Sequence, residues 1–262
     1  MKLSLVVPTY KKEKVVVKQL ERVYAFLSRR KLDFELIVVI DGIIDGSKKA
    51  VEQLISQDKR KYSRIKLFAY KENQGKGYAF RYGLRKAKGD IVGFIDADLD
   101  IKLKTLELAL NRIEKGDVDA VVPSKHLSGA KSISSPFRKI LSFGLRAVNR
   151  MLIQLPSEVQ DISCGLKLFK KETMDVILPD LKVNRFALDS EIFLYLTRYG
   201  FKIGVVPFYA KILPGSTSVK FYEIATMLKD IFKISIKVKL LDLKSFAENI
   251  LFRVITLADF SA

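Results

Sequence analysis

Two patterns of apolar and polar residues alternate along the first half of the chain. Apolar runs of five to seven residues, rich in Val and Ile, are typical of buried strands. Between these runs, apolar residues recur every three or four positions, which predicts amphipathic helices. The predicted strands are Leu3–Val7, Phe34–Ile40, Ile65–Ala69, Ile91–Asp96 and Val118–Val122. The predicted helices run from Val16 to Leu27, from Ser47 to Ile55, from Gly77 to Ala87 and from Leu103 to Ile113.

The second half of the chain is less regular. A Ser- and Gly-rich stretch over 126–136 reads as a loop, and a helix with a row of basic residues at Arg138, Arg146 and Arg150 follows. Further predicted elements are a strand over Cys164–Phe169, a helix over Asp189–Tyr199 and a strand over Ile203–Val206. Strand and helix signals conflict between residues 232 and 239, and an amphipathic helix is predicted around 246–257. We divide the chain into a domain at 1–230 and a C-terminal amphipathic region at 231–262.

The repeated strand–helix alternation predicts an α/β fold with a doubly wound open sheet. Ligands of such sheets bind beyond the carboxyl ends of the strands. Three polar segments fall at predicted strand ends, namely Pro8-Thr9-Tyr10, Asp41-Gly42 and Asp96-Ala97-Asp98. The sequence therefore predicts one crevice to which three separate segments contribute.

The carboxylates of Asp96, Asp98 and Asp100 follow directly on an apolar run. Ionised carboxylates this close together repel each other unless positive charge lies between them. Hard divalent cations such as Mg²⁺ or Mn²⁺ take oxygen ligands of this kind, together with substrate phosphates. A strand that runs into an acidic, solvated turn is the alternative interpretation.

Net charge narrows the class of partner. The formal charge of +18 over 262 residues favours a polyanion, such as a phosphorylated substrate, an anionic membrane surface or nucleic acid. The lysines are scattered and no aromatic-rich basic motif is present, so we expect no nucleic acid partner. No uninterrupted apolar stretch reaches the roughly 18–20 residues that a membrane-spanning helix needs. The single Cys164 fits a reducing compartment.

Several motifs together resemble a known family. They are Pro8-Thr9-Tyr10, Asp41-Gly42 with Asp45-Gly46-Ser47, Asn73-Gln74-Gly75-Lys76-Gly77, Asp96-Ala97-Asp98, Cys164-Gly165-Leu166-Lys167-Leu168-Phe169 and Arg185-Phe186-Ala187-Leu188-Asp189-Ser190-Glu191. In this order the set resembles family 2 inverting glycosyltransferases, and within them the polyprenyl-phosphate hexosyltransferases. The resemblance implies the GT-A fold, a Rossmann-like mixed sheet with helices on both faces, here followed by C-terminal amphipathic helices.

The resemblance also implies a role for individual residues. Donor-binding positions are Pro8, Tyr10, Val39, Asp41, Asp96, Ala97 and Lys125. Acceptor-binding positions are Arg138 and Lys167, and catalytic positions are Asp98, Asp189 and Lys211. A divalent cation, Mg²⁺ or Mn²⁺, is expected on Asp96, Asp98 and Asp100.

The implied reaction moves mannose or glucose from a GDP- or UDP-sugar to a polyprenyl or dolichyl phosphate, at the cytoplasmic face of a membrane. We expect peripheral binding to an anionic membrane surface, with a membrane partner protein as a further expectation. One alternative is transfer to a soluble glycan hydroxyl, with Asp189 or Glu191 as the base. A basic nucleic-acid-binding module, which the net charge motivates, is the other alternative. For Asp189 a helix N-cap role is also open.

This chain departs from the family pattern at several positions. Lys11 and Lys12 stand where the family has Asn and Glu, Ile40 replaces an Asp, and Asp100 replaces a common Gln.

Overall fold

The computed structural model describes residues 1–98, 100–127, 155–160, 162–185, 187–210, 226, 228–236 and 239. Its strands are β1 (Lys2–Thr9), β2 (Asp33–Asp41), β3 (Ile65–Tyr70), β4 (Ile91–Ile95), β5 (Ala120–Ser124), β6 (Leu166–Lys170) and β7 (Ile203–Pro207). Its helices are α1 (Val16–Arg29), α2 (Ser47–Gln57), α3 (Lys76–Leu84), α4 (Leu103–Glu114), α5 (Lys171–Ile177) and α6 (Leu188–Arg198). Residues 228–236 are also helical.

The seven strands form one sheet in the order β3-β2-β1-β4-β6-β5-β7. Strands β1 to β4 run parallel to one another, and β5 runs parallel to β7. Strand β6 lies antiparallel between β4 and β5. The sheet is therefore mixed, which confirms the predicted α/β fold.

Alternate residues of each central strand supply two separate cores. On β2, Leu36 and Val38 belong to one hydrophobic cluster, whereas Ile37 and Val39 belong to the other. Helices α1, α2 and α4 contribute to the first cluster, and α3, α5 and α6 contribute to the second. Because side chains alternate across a strand, a strand covered on both faces is apolar throughout. The almost continuous apolar run at 34–40, interrupted by Glu35, therefore marked a central strand correctly.

Two parts of the second half differ from the sequence prediction. Helix α5 was not predicted, and residues 232–236 of the stretch with conflicting signals belong to a helix at 228–236. In that helix Ile231 and Ile234 join the second core cluster. The basic helix around Arg138 and the region 246–257 lie outside the described residues. Among the residues that are described, no helix has the length and apolar character that a membrane crossing requires.

Candidate active site

The carboxyl ends of β1, β2 and β4 meet at one edge of the sheet, because these three strands are parallel neighbours. Pro8 lies near the end of β1 and Tyr10 follows that strand, Asp41 ends β2, and Asp96 and Asp98 follow β4. Tyr10 is exposed, with 41% of its surface accessible. The predicted convergence of three segments is therefore present in the fold.

Asp96 is held by a lysine and by a glycine. Its carboxylate pairs with the ammonium of Lys76 at 2.6 Å. Burial alone would lower the pKa of Lys76, but the carboxylates of Asp96 and Asp189 outweigh it and raise that pKa. The backbone N–H of Asp96 donates to the carbonyl of Gly165 at 2.8 Å, and a Cβ atom on Gly165 would overlap the Asp96 carboxylate. The glycine therefore makes room for this side chain.

Asp98 lies deeper than Asp96 and carries a looser ion pair. Lys12 Nζ is 3.6 Å from Asp98 Oδ2, and the Asp98 side chain is 17% exposed. Burial, followed by the negative charges of Asp96 and Asp100, raises the pKa of Asp98. Lys12 acts in the opposite direction and lowers it. At Asp98, burial and the neighbouring carboxylates therefore outweigh the charge of Lys12.

Asp100 is a third carboxylate near Asp98. Its Oδ1 is buried and accepts no hydrogen bond from the residues that the structure describes. Among the described residues, no group of three or more His, Cys, Asp and Glu side chains is arranged to hold a metal ion by itself. A cation at this edge would therefore need further oxygen ligands, which the phosphates of a substrate can supply.

Asp41 anchors the loop that precedes α3. Its carboxylate accepts hydrogen bonds from Tyr70 Oη at 2.9 Å, Asn73 Nδ2 at 2.7 Å and the backbone N–H groups of Gln74 and Gly75 at 2.7 and 3.0 Å. Asp41 is only 2% exposed. The structure thus shows what holds this carboxylate, and its contact with a nucleotide remains a prediction.

Lys167 and Asp189 form an ion pair whose aspartate side chain is 17% exposed. Lys167 is fully buried, and its Nζ donates to the carbonyl of Cys164 at 2.6 Å. The same nitrogen lies 2.9 Å from Asp189 Oδ1, at an ion-pair distance but without hydrogen-bond angles. Asp189 does not cap α6, because the N-cap is Ala187 and no side chain caps that helix. The N-cap interpretation of Asp189 is therefore wrong.

Glu191 holds the backbone before α6. Its two carboxylate oxygens accept the N–H groups of Lys182 and Val183, each at 2.8 Å, and the residue is 2% exposed. Arg81 donates to the carbonyl of Val183 and to the side chain of Asn184. This segment packs on the first turn of α3, where the N–H of Gly77 donates to Asn184 O at 2.8 Å. Glu191 therefore has a structural task that leaves it poorly placed to serve as a base.

The remaining predicted positions fall into three groups. Val39 and Ala97 lie in the core, 0% and 2% exposed. Lys125 follows β5, with its Nζ 5.6 Å from the centroid of the Phe208 ring. Arg138 and Lys211 lie outside the described residues, so their roles stay predictions.

Sequence reasoning missed three functional contacts at this edge. It assigned no role to Lys76, which pairs with Asp96, or to Asn73, which holds Asp41. Both residues belong to the Asn73–Gly77 motif, so the signal was present in the sequence. Lys12 was noted only as a departure from the family pattern, but it is the ion-pair partner of Asp98.

Comparison with known proteins identifies the family. The model for "Glycosyl transferase family 2" matches residues 4–178, and the chain belongs to this family. A dolichyl-phosphate beta-glucosyltransferase of Trichomonas vaginalis is 31% identical over 238 residues, which cover 89% of this chain and 73% of the relative. The dolichyl-phosphate beta-glucosyltransferase of Dictyostelium discoideum is 30% identical over 243 residues, with 88% and 73% covered.

Solved structures share the fold at low sequence identity. Mannosyl-3-phosphoglycerate synthase from Rubrobacter xylanophilus has a TM-score of 0.71 at 15% identity, covering 93% of this chain and 75% of that one. Glucosyl-3-phosphoglycerate synthase from Mycobacterium tuberculosis, in complex with Mn²⁺, UDP and phosphoglyceric acid, has a TM-score of 0.65 at 16% identity, covering 89% and 76%. These likenesses establish that the chain has the GT-A fold.

Proposed function

We propose that this protein transfers a hexose from a nucleotide-sugar to a polyprenyl phosphate such as dolichyl phosphate, with inversion at the sugar carbon. The observation that carries the proposal is the pair Asp96 and Asp98 at the carboxyl edge of a family 2 sheet, each in contact with a lysine. The two relatives described above are dolichyl-phosphate beta-glucosyltransferases. They favour glucose as the sugar and a lipid phosphate as the acceptor.

The donor set fits a divalent cation, Mg²⁺ or Mn²⁺. Asp96 and Asp98 offer carboxylate oxygens, and the raised pKa of Asp98 reflects burial and negative neighbours that a cation would neutralise. Such a cation would act as a Lewis acid on the donor diphosphate. In a protein with the same fold, Mn²⁺ and UDP are bound together. Lys76 keeps Asp96 in position while the nucleotide leaves.

A phosphate acceptor also suits the carboxylates that are present. In the proposed reaction, a phosphate oxygen attacks C1 of the hexose, the bond from C1 to the diphosphate oxygen breaks, and the nucleoside diphosphate departs with the electron pair. The acceptor phosphate is already ionised near neutral pH, so this step needs no strong base. Transfer to a hydroxyl would need a positioned base. Both candidates for that task are engaged, Glu191 by two backbone N–H groups and Asp189 by Lys167.

A donor and acceptor panel tests the proposal. Purified protein is incubated with Mn²⁺ or Mg²⁺ and radiolabelled UDP-glucose or GDP-mannose, with a polyprenyl phosphate, a soluble oligosaccharide or water as acceptor. We expect label in the lipid fraction with the polyprenyl phosphate and one nucleotide-sugar, and none after addition of EDTA. Label in the oligosaccharide but not in the lipid would refute the lipid acceptor.

We also propose that the protein works peripherally at an anionic, cytoplasmic membrane face. The helical stretch 228–236 exposes Leu228, Phe232 and Ile236, which are spaced four residues apart and are 37%, 58% and 43% accessible. Lys229 and Lys233 are exposed beside them. Apolar side chains next to lysines are the pattern of helices that lie in a membrane interface.

Vesicle binding tests this location. We expect the protein to sediment with vesicles of phosphatidylcholine and phosphatidylserine but not with phosphatidylcholine alone, and to be released as salt rises. Replacing Leu228, Phe232 and Ile236 by Ser should abolish sedimentation without lowering the unfolding temperature, because these side chains are exposed. Unchanged sedimentation of this variant would show that the stretch does not contact lipid. The matched control replaces exposed Val176, which is 52% accessible on α5, by Ser.

A further inference from the structure

Lys12 is fixed at its backbone and reaches across the site with its side chain. Its N–H donates to Ser47 Oγ at 3.0 Å, and its carbonyl accepts the N–H of Val16 at 2.9 Å. The preceding residue, Lys11, has a φ of 52°, a left-handed conformation that a lysine rarely adopts. These contacts aim the Lys12 side chain from the end of β1 toward Asp98 after β4.

The contact between Lys12 and Asp98 is the loosest ion pair at this edge. It spans 3.6 Å with no hydrogen bond between the side chains described, whereas Lys76 is 2.6 Å from Asp96. The Lys12 side chain is also 29% exposed, so it has room to turn. Two further cations lie near Asp98: Arg22 donates to the carbonyl of Ile101 at 2.5 Å, and Lys76 is held by Asp96. Lys12 is therefore the cation that can leave Asp98 most easily.

We propose that Lys12 is a tethered counter-ion that changes partners when the donor binds, an inference that rests on the proposed function. Without donor, its ammonium balances Asp98. With a divalent cation held by Asp98, the Lys12 ammonium would be repelled from that carboxylate and would pair instead with the anionic diphosphate of the donor. A lysine side chain can make this move, because its flexible stem carries a compact charge. Lys12 then opposes the binding of a free cation and favours the binding of cation and nucleotide together.

Isothermal titration calorimetry of Lys12→Gln distinguishes this role from a general charge effect. The titrants are Mn²⁺ alone, and UDP and GDP in the presence of Mn²⁺. We expect Mn²⁺ alone to bind about fivefold more tightly, and the preferred nucleotide with Mn²⁺ about fivefold more weakly, the scale of one partly exposed ion pair. Lys12→Arg, which keeps the positive charge, should bind Mn²⁺ alone and nucleotide with Mn²⁺ in the same order of affinity as the wild type. Lys14→Gln, which removes the same charge from an exposed neighbouring position, should change neither affinity.

Removing any positive charge close to the site would shift the two affinities in these opposite directions, so the Lys14→Gln control decides whether the effect depends on the position of Lys12. If Lys12→Gln shifts both affinities in the same direction, or shifts neither while the wild type binds nucleotide, the counter-ion role is refuted and the proposed function stands. If the wild type binds neither UDP nor GDP with Mn²⁺, the proposed function fails and this inference fails with it. Thermal unfolding of each variant, monitored by circular dichroism, confirms that the fold is intact.

Discussion

Replacing Asp41 by Asn should destabilise the protein strongly, because Asp41 is an anchor for the loop before α3. Its Oδ2 accepts Asn73 Nδ2 at 2.7 Å and the N–H of Gly75 at 3.0 Å, and its Oδ1 accepts the N–H of Gln74 at 2.7 Å. In the Asn variant, an NH₂ group replaces one of the two oxygens, so the N–H or O–H groups that donated to that oxygen face another donor and lose their hydrogen bonds. Each hydrogen bond to a charged acceptor contributes roughly 1.5–3 kcal/mol.

The loss of two such bonds lowers the free energy of unfolding by at least about 3 kcal/mol. At roughly 2–4 °C per kcal/mol for a chain near this size, Tm should fall by about 6–12 °C. Differential scanning calorimetry of the protein without nucleotide measures this directly. The control is Tyr70→Phe, which removes one donor to the same carboxylate and should lower the free energy of unfolding by roughly 1.5–3 kcal/mol, about half the effect of Asp41→Asn. Burial, followed by the charge of Asp41, raises the pKa of Tyr70, so its hydroxyl remains a donor at the pH of the measurement.

One result would refute the anchor role. If Asp41→Asn unfolds at the wild-type temperature but no longer binds nucleotide, the carboxylate is a ligand and its hydrogen bonds to the loop contribute little. A large fall in Tm with nucleotide affinity preserved at low temperature would instead show that Asp41 acts only by holding the loop.

Three further predictions concern the strand-end site and its acceptor. Asp98→Asn should abolish transfer yet raise Tm at pH 7. Burial and then the charges of Asp96 and Asp100 raise the folded-state pKa of Asp98 above its unfolded value. The ionised carboxylate therefore destabilises the fold once the pH rises from the unfolded-state pKa through the folded-state pKa, and the gain in Tm should shrink when calorimetry is repeated at acidic pH. Gly165→Ala should weaken Mn²⁺-dependent nucleotide binding in calorimetry, because the added Cβ overlaps the Asp96 carboxylate, and unchanged affinity would contradict the assignment of Asp96. Arg138→Ala should raise KM for the lipid phosphate far more than it weakens donor binding, since charge-assisted bonds to phosphate are strong; equal losses in lipid transfer and in hydrolysis of the nucleotide-sugar by water would argue against it.

The first four strands could be predicted from sequence because their signal is local. A central parallel strand is buried on both faces, so Phe34–Ile40 is apolar at nearly every position and is 2% exposed or less throughout. The convergence of Asp41, Asp96 and Asp98 then followed from topology alone, since parallel neighbours end at the same edge.

Features that depend on distant partners could not be predicted in this way. Nothing in the composition of β6 shows that it inserts antiparallel between β4 and β5. The alternation of Phe232, Ile234 and Ile236 is typical of a strand, yet this stretch is helical, and Ile231 and Ile234 on one face pack against the core. Here tertiary packing decides between two local signals.

The side-chain pairs of the site were hidden for the same reason. Lys12 and Asp98 are far apart in the sequence but form an ion pair. Lys167 and Asp189 lie on different elements, a strand and a helix, and are in contact as well. A pair of this kind depends on where two loops or elements meet and on how far each side chain reaches. Only the fold supplies that information.

The position of β6 sets the order in which the sheet can assemble on the ribosome. Strands β1 to β4 are neighbours without it, but β5 and β7 join them only through β6, which emerges after β5. At about 5–20 residues per second, the ribosome needs roughly two to eight seconds to make the segment between β5 and β6. During that time the edge of β4 lacks its final neighbour, and unpaired strand edges recruit other chains. We therefore expect the nascent chain to depend on chaperones most at the point when Ser124 has emerged and Leu166 has not.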